Sequence, residues 1–109
     1  MIRHKKRRWE SMRTDETRMV EKVLRKEFPA TDAYRYNPAS IRVRIIDPRF
    51  EGKATEQRDA LVEPILAQLP EEIQGDIMNL ITLSPSEAAD SFGKILANME
   101  FEEPTKSML

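Results

Sequence analysis

The chain has 109 residues and a formal net charge of −1, a length that suits one domain with a single hydrophobic core. It has no cysteine and one histidine, His4, so we expect no disulfide, no thiolate chemistry and no metal site built from several histidines. Its apolar runs are too short for a signal peptide or a membrane span, and the sequence therefore predicts a cytoplasmic protein without a membrane partner.

Charge is distributed unevenly along the chain. Residues 1–13 carry six Lys and Arg residues against one acidic residue, Glu10. Residues 100–109 carry three Glu residues against one lysine. The distribution predicts a basic N-terminal arm at 1–13, a folded domain at 14–99 and an acidic C-terminal tail at 100–109.

The first half of the domain is predicted to hold one helix and one hairpin. Thr14 or Asp15 can cap the helix, whose apolar residues recur at helical spacing until Pro29 ends it. Residues 33–36 and 40–46 have strand patterns and are joined by a short turn, which predicts an antiparallel pair.

Trp9, inside the basic arm, allows two interpretations. With Met12 it can continue the apolar stripe of the first helix and pack there. Alternatively, it anchors the arm on a partner, because a tryptophan exposed in a tail is unfavourable unless it docks.

The second half is predicted to hold three helices and one strand. A helix over residues 55–69, capped by Thr55, contains Pro64, which should kink it. A short helix over 70–77 and a strand over 79–83 follow. The last helix, ending near residue 99, begins with a capping signal in which Ser84 is followed by proline and, three residues on, by glutamate.

The resulting order is α-β-β-α-α-β-α. The two strands of the hairpin are adjacent, and the third returns after a helical crossover that allows parallel pairing. We therefore predict the α+β class, as a two-layer sandwich of helices on a three-stranded mixed sheet.

The corner between the second strand and the second helix is the most specific stretch of the chain. Residues 50–62 run Phe-Glu-Gly-Lys, with Arg58 six residues after Gly52 and Leu-Val close behind. This run resembles the BolA family, whose fold is KH-like. Weaker similarities to the family are present at residues 77–80 and 84–87. The resemblance implies a small domain used for binding rather than catalysis.

The resemblance also implies which ligands are missing. In the family, a histidine before the last strand helps to hold an iron–sulfur cluster shared with a monothiol glutaredoxin, and that position corresponds to Met78. Asp59 replaces a second family histidine, and residues 37–39 form a short turn where the family has a longer loop carrying the other ligand. Methionine is a weak cluster ligand and the chain has no cysteine, so the glutaredoxin partnership is disfavoured and no cofactor or metal is expected.

Basic residues supply the candidate binding surface. Arg42 and Arg44 alternate with apolar residues and, with Arg35, are predicted to line the exposed face of the sheet. Tyr34 and Tyr36 can stack on bases if they share that face, although alternation favours the side opposite Arg35, where they would help the core. The candidate nucleic-acid or partner-binding residues are Arg3, Lys5, Lys6, Arg7, Arg8, Arg35, Arg42, Arg44, Lys53 and Arg58. For Arg35, Arg42 and Arg44, the simpler interpretation is that the charges only solvate an exposed strand.

No pattern predicts catalysis. A phosphate loop at Gly52 is disfavoured because the glycine and hydroxyl positions that it requires hold Asp47 and Ala54. We expect Phe50 to fill the core, Gly52 to supply a positive φ angle and Lys53 to face water. Asp47 and Glu51 are too few carboxylates for a cation site.

The predicted function is therefore non-enzymatic. The sequence predicts an adaptor or regulatory module that binds nucleic acid or an acidic protein surface through its basic residues. The alternatives are a protein–protein adaptor of the glutaredoxin-partner type that has lost cluster ligation, and a structural domain without a binding role.

Overall fold

The computed structural model describes residues 8–90, in which three strands form one mixed sheet of order β1-β2-β3. The strands are β1 (Thr31–Asn37), β2 (Ser40–Ile46) and β3 (Ile77–Leu83). The helices are α1 (Asp15–Leu24), α2 (Thr55–Leu66), α3 (Glu71–Asp76) and α4 (Pro85–Ala89), with short 3₁₀ helices at Arg8–Met12 and Pro48–Phe50. β2 pairs antiparallel with β1 and parallel with β3. The predicted α+β class and order of helices and strands are confirmed for these residues.

The larger of two core clusters lies on one face of the sheet. Ile41, Val43 and Ile45 of β2 are fully buried there, as their alternation with arginine predicts. Three helices cover this face, because the same core includes residues of α1, α2 and α3. The helical residues are Val20, Leu24, Val62, Ile65 and Ile73.

Two strands begin earlier than predicted. β1 begins at Thr31 rather than residue 33, because two hydrogen bonds fix Thr31 in place. Its hydroxyl donates to the Phe28 carbonyl at 2.7 Å, and its carbonyl accepts from Arg25 Nε at 2.8 Å. β3 begins at Ile77, two residues early, and α3 ends directly before it. Residues 1–7, the predicted end of the last helix and the acidic tail lie outside the described residues.

The corner after β2 has the predicted roles. Asp47 caps the 3₁₀ helix at its start, and Phe50 is fully buried and stacks on Phe28 with 5.5 Å between ring centroids. Gly52 has φ of +71°, a value that favours glycine. The predicted cap of α2 is wrong by one residue, because Ala54 is the N-cap and its N–H donates to the Gln57 side chain at 2.9 Å.

Pro64 lies inside α2 without ending it at once. The helix continues two residues further, to Leu66. A proline has no N–H to donate to the carbonyl of Ala60, so the last turn of α2 lacks one backbone hydrogen bond.

Candidate nucleic-acid interface

Arg42 and Arg44 lie on the sheet face opposite the helices. Both alternate with the buried residues of β2, so their side chains point away from the core. The β1–β2 register places Tyr34 opposite Arg42 and Asp32 opposite Arg44, and residues directly opposite share a face. We call this surface, with Tyr36 and Trp9, the arginine–tyrosine face.

Trp9 joins this face from the N-terminal side. Its ring is 5% exposed and lies 6.1 Å from the Tyr34 ring, and Met12 and Ile81 pack against the two rings. The Arg13 guanidinium lies over the indole at 4.7 Å from its centroid. Trp9 is therefore packed, but its partner is the sheet rather than the first helix, which corrects the prediction.

Tyr36 and Arg42 form a stacked pair at the hairpin end of the face. The Arg42 guanidinium lies 3.7 Å from the centroid of the Tyr36 ring and also donates to the Tyr34 hydroxyl at 3.1 Å. Tyr36 is 50% exposed. It is the extra residue at the β-bulge between Arg35 and Asn37, a feature that re-aims a side chain. The expectation that both tyrosines lie opposite Arg35 is confirmed, and Tyr34 is buried in a core cluster with Trp9, but Tyr36 is half open to solvent and does not help the core.

Asp32 organises the arginines at the other end of the face. Its carboxylate accepts from Arg44 at 2.9 Å and from Arg13 and Arg25 at 3.2 Å each. Glu21 of α1 pairs with Arg13 at 3.0 Å and Arg25 at 3.5 Å. Three guanidinium groups thus share two carboxylates, which fixes their positions and leaves the cluster positively charged.

Arg35 does not belong to this surface. It lies opposite Ile41 in the register, and its side chain is on the helix side. There it donates to Glu16 of α1 at 3.1 Å and to Asp76 of α3 at 2.9 Å, and these hydrogen bonds raise the pKa of Arg35. The grouping of Arg35 with Arg42 and Arg44 is wrong, because the bulge at Tyr36 shifts the register so that Arg35 lies opposite Ile41 rather than Arg42.

Arg58 lies near the outer side of β3, and its hydrogen bonds stabilise the fold. It donates to the Lys53 carbonyl, to the Thr82 carbonyl and to Glu87 Oε1, each at 2.8 Å, and to Glu87 Oε2 at 3.1 Å. It is 8% exposed, whereas Lys53 is exposed on the loop. These hydrogen bonds join α2 to β3 and α4, and this structural role explains the position of Arg58.

Glu87 has a strongly lowered pKa as a result. The hydrogen bonds from Arg58 are the largest cause and the N–H of Ser84 the next, and together they lower the pKa of Glu87 from 4.5 to about 2 against the opposing effect of burial. The predicted capping box is confirmed, since the Ser84 N–H donates to Glu87 at 2.8 Å and the Glu87 N–H donates to the Ser84 hydroxyl at 3.2 Å.

The basic arm is described only from residue 8. Arg8 begins the 3₁₀ helix that carries Trp9, while Arg3, Lys5, Lys6 and Arg7 lie outside the described residues. The chain therefore reaches the sheet on the arginine–tyrosine face, next to Arg13 and Arg44.

Sequence reasoning did not find Asp32 or the docking of Trp9. The signal for Asp32 was present, because alternation extended back to residue 32 places it with Tyr34 on the side of Arg44. For Trp9 no local signal exists, since its partners Tyr34 and Ile81 are distant in sequence.

Searches against protein-family models, curated proteins and solved structures found no match to this chain. Residues 8–90 hold no group of three or more His, Cys, Asp or Glu side chains placed for a metal ion. Asp47 pairs with Arg49 at 3.0 Å, and Glu51 accepts from the hydroxyl of Ser84 at 3.2 Å. None of the helices in the described part of the chain is long and apolar enough to cross a membrane.

Proposed function

We propose that the chain is a KH-like domain, similar to BolA proteins, that binds single-stranded nucleic acid on its arginine–tyrosine face without catalysing a reaction. The observation that carries the proposal is the exposed Tyr36 ring beside the stacked Arg42 guanidinium. A half-open aromatic ring offers a base a stacking surface, and the adjacent cation offers a phosphate a partner.

Single strands fit this surface better than a duplex does. Stacking on Tyr36 requires a base that is free of its own stack, and the bases of a duplex are not. Guanidinium groups recognise phosphate through several donors at once, and the carboxylate of Asp32 positions Arg44 beside Arg13. The face thus combines a ring for a base with charges for the backbone.

The basic arm strengthens the proposal through its attachment point. Because Trp9 packs on Tyr34, the six residues 3–8 begin beside this face. Their maximum reach is about 20 Å from that point, at roughly 3.5 Å per extended residue. With that reach, their charges can contribute to binding at the same face.

The test is fluorescence anisotropy with labelled single-stranded RNA and DNA oligonucleotides over a salt series. We expect Tyr36→Ala to weaken binding roughly 5- to 150-fold, the equivalent of about 1–3 kcal/mol for one stacked base. Arg42→Gln should weaken binding and flatten the dependence of affinity on salt, because one phosphate contact is lost.

Arg18→Gln is the matched control, because Arg18 is exposed on α1 and its loss removes the same charge from the helix layer. If the Arg18 and Arg42 variants bind with equal affinity, net charge alone explains the binding and the arginine–tyrosine face is not its site. An absence of binding at low salt would reject the proposal and leave the protein adaptor as the alternative.

A further inference from the structure

Arg42 lies between the two tyrosines of β1 and contacts them through different parts of its guanidinium group. Its Nη1 donates to the Tyr34 hydroxyl at 3.1 Å, whereas its guanidinium carbon lies 3.7 Å from the centroid of the Tyr36 ring. The N–H donors of arginine lie in the plane of the group, and an aromatic ring stacks on its face. Arg42 can therefore make both contacts at once, and each contact restricts a different motion of its side chain.

The two tyrosines differ in how firmly the fold holds them. Tyr34 is 4% exposed, lies directly opposite Arg42 in the register and packs against Trp9, with 6.1 Å between the two ring centroids. Tyr36 is 50% exposed and lies at the β-bulge. The Tyr34 hydroxyl is therefore an acceptor at a fixed point on the sheet, whereas the Tyr36 ring projects from the bulge and has Arg42 stacked on one side.

The packing of Tyr34 does not require its hydroxyl. A phenylalanine would place the same ring against Trp9, Met12 and Ile81. It would also avoid burying a polar atom, which is unfavourable unless that atom is hydrogen-bonded. What the hydroxyl adds is a hydrogen bond to arginine, one of the side chains with the most rotamer freedom, and this bond selects one position of Arg42.

We propose that Tyr34 is a positioning residue of the nucleic-acid site. Its hydroxyl holds Arg42 against one face of the Tyr36 ring, and the ring then offers its other face to a single base. Tyr34 does not touch the nucleic acid and acts only through Arg42. Its role in binding rests on the proposed function, whereas its role in holding Arg42 against Tyr36 does not.

An ordered Arg42 favours binding for two reasons. A side chain that the ligand must first order lowers the affinity, so an arginine and a ring that are already held in place avoid part of that cost. Because the guanidinium covers one face of Tyr36, the ring stacks on one base rather than between two, and the cation lies next to that base.

Fluorescence anisotropy with the labelled single-stranded oligonucleotides tests the role in binding. Tyr34→Phe removes only the hydroxyl and should weaken binding about 2- to 10-fold, the equivalent of one hydrogen bond. Tyr36→Phe is the matched control, because it removes the same atom from the same face and keeps the ring, and it should bind with native affinity. In a chain that carries Arg42→Ala, adding Tyr34→Phe should change the affinity no further, since the residue through which Tyr34 acts is absent.

NMR without nucleic acid tests whether Tyr34 holds Arg42. The side-chain Nε–Hε signal of Arg42 and the ring signals of Tyr36 should move in Tyr34→Phe towards the values of a solvated arginine and an unstacked tyrosine, because the guanidinium leaves the ring. The Arg42 signal should move less in Tyr36→Phe, which keeps the stacked ring. Far-UV circular dichroism confirms that each variant is folded.

Three results would overturn the proposal. The first is native affinity in a folded Tyr34→Phe protein, and the second is an Arg42 signal that Tyr34→Phe leaves unchanged. The third is an equal loss of affinity with and without Arg42→Ala, because Tyr34 then acts by another route. A native chain that binds no oligonucleotide rejects the proposed function and with it the role of Tyr34 in binding, while the NMR signals still decide whether Tyr34 holds Arg42.

Discussion

The two faces of strand β2 differ in what covers them, although they belong to the same seven residues. On one face, Ile41, Val43 and Ile45 are fully buried under three helices. On the other face, Arg42 and Arg44 lie beside tyrosines, and one five-residue 3₁₀ helix with Trp9 covers only part of the surface. Within residues 8–90, the first face has no exposed apolar or basic side chain from β2, whereas the second face carries the half-exposed Tyr36 ring beside Arg42.

This difference separates stability from binding within one strand. Aliphatic burial contributes about 25 cal/mol per Å² of apolar surface and needs no solvent-facing group. The half-exposed Tyr36 ring on Arg42 buries less apolar surface and therefore contributes less to folding. We therefore expect substitutions on the two faces to affect different measurements.

The largest effect should come from the covered face. Phe50→Ala removes a fully buried ring that stacks on Phe28, and it should lower the free energy of unfolding by about 3–5 kcal/mol. Urea unfolding followed by circular dichroism measures this loss. The folded fraction of the variant should bind oligonucleotides with native affinity. A parallel loss of affinity would contradict the claim that the two faces serve stability and binding separately.

A smaller effect should come from Trp9. Trp9→Ala removes the ring that packs on Tyr34 and frees the arm from the sheet, so we expect about 2 kcal/mol of lost stability and weaker binding together. Trp9→Phe is the control, since it keeps an aromatic partner for Tyr34. Native binding in a folded Trp9→Ala protein would contradict the role of this docking in placing the arm.

The smallest effect should come from the Arg58–Glu87 pair, which lies on neither face. The pKa of Glu87 is about 2 in the folded state against an ordinary 4.5, so its ionised form stabilises the fold above pH 4.5. That contribution is lost as pH falls from 4.5 towards 2. Because 39% of the Glu87 side chain is exposed, we expect only about 1 kcal/mol at neutral pH.

Glu87→Gln tests this pH dependence. The difference in unfolding free energy between the native chain and the variant should be largest at neutral pH and should shrink to near zero at pH 2. Oligonucleotide affinity should be equal in the two proteins. A difference in stability that does not depend on pH would contradict the role of the ionised carboxylate.

Local signals explain the parts of the fold that the sequence predicts well. Alternation identifies β2 at its observed bounds, and the roles of Phe50 and Gly52 follow from their position at a strand-to-helix corner. The capping box at Ser84 is likewise a short-range pattern. In each case, residues within a few positions of each other determine the structure.

The candidate site is less predictable because its contacts are distant in sequence. Trp9 and Tyr34 meet only after the chain has passed through α1, and Asp32 pairs with Arg13 and Arg44 from both sides. Arg35 was misplaced because the bulge at Tyr36 shifts the β1–β2 register, which a local pattern does not reveal. Tertiary packing, not local propensity, decides these positions.

The most direct test of the proposed binding face is a titration of the isotope-labelled protein with a single-stranded oligonucleotide, followed by amide and side-chain chemical shifts. The account predicts that the largest shifts fall on Tyr36, Arg42 and Arg44, while residues of the helix layer such as Arg18 stay unchanged. Shifts concentrated on α1 and α2, or no shifts at low salt, would contradict it.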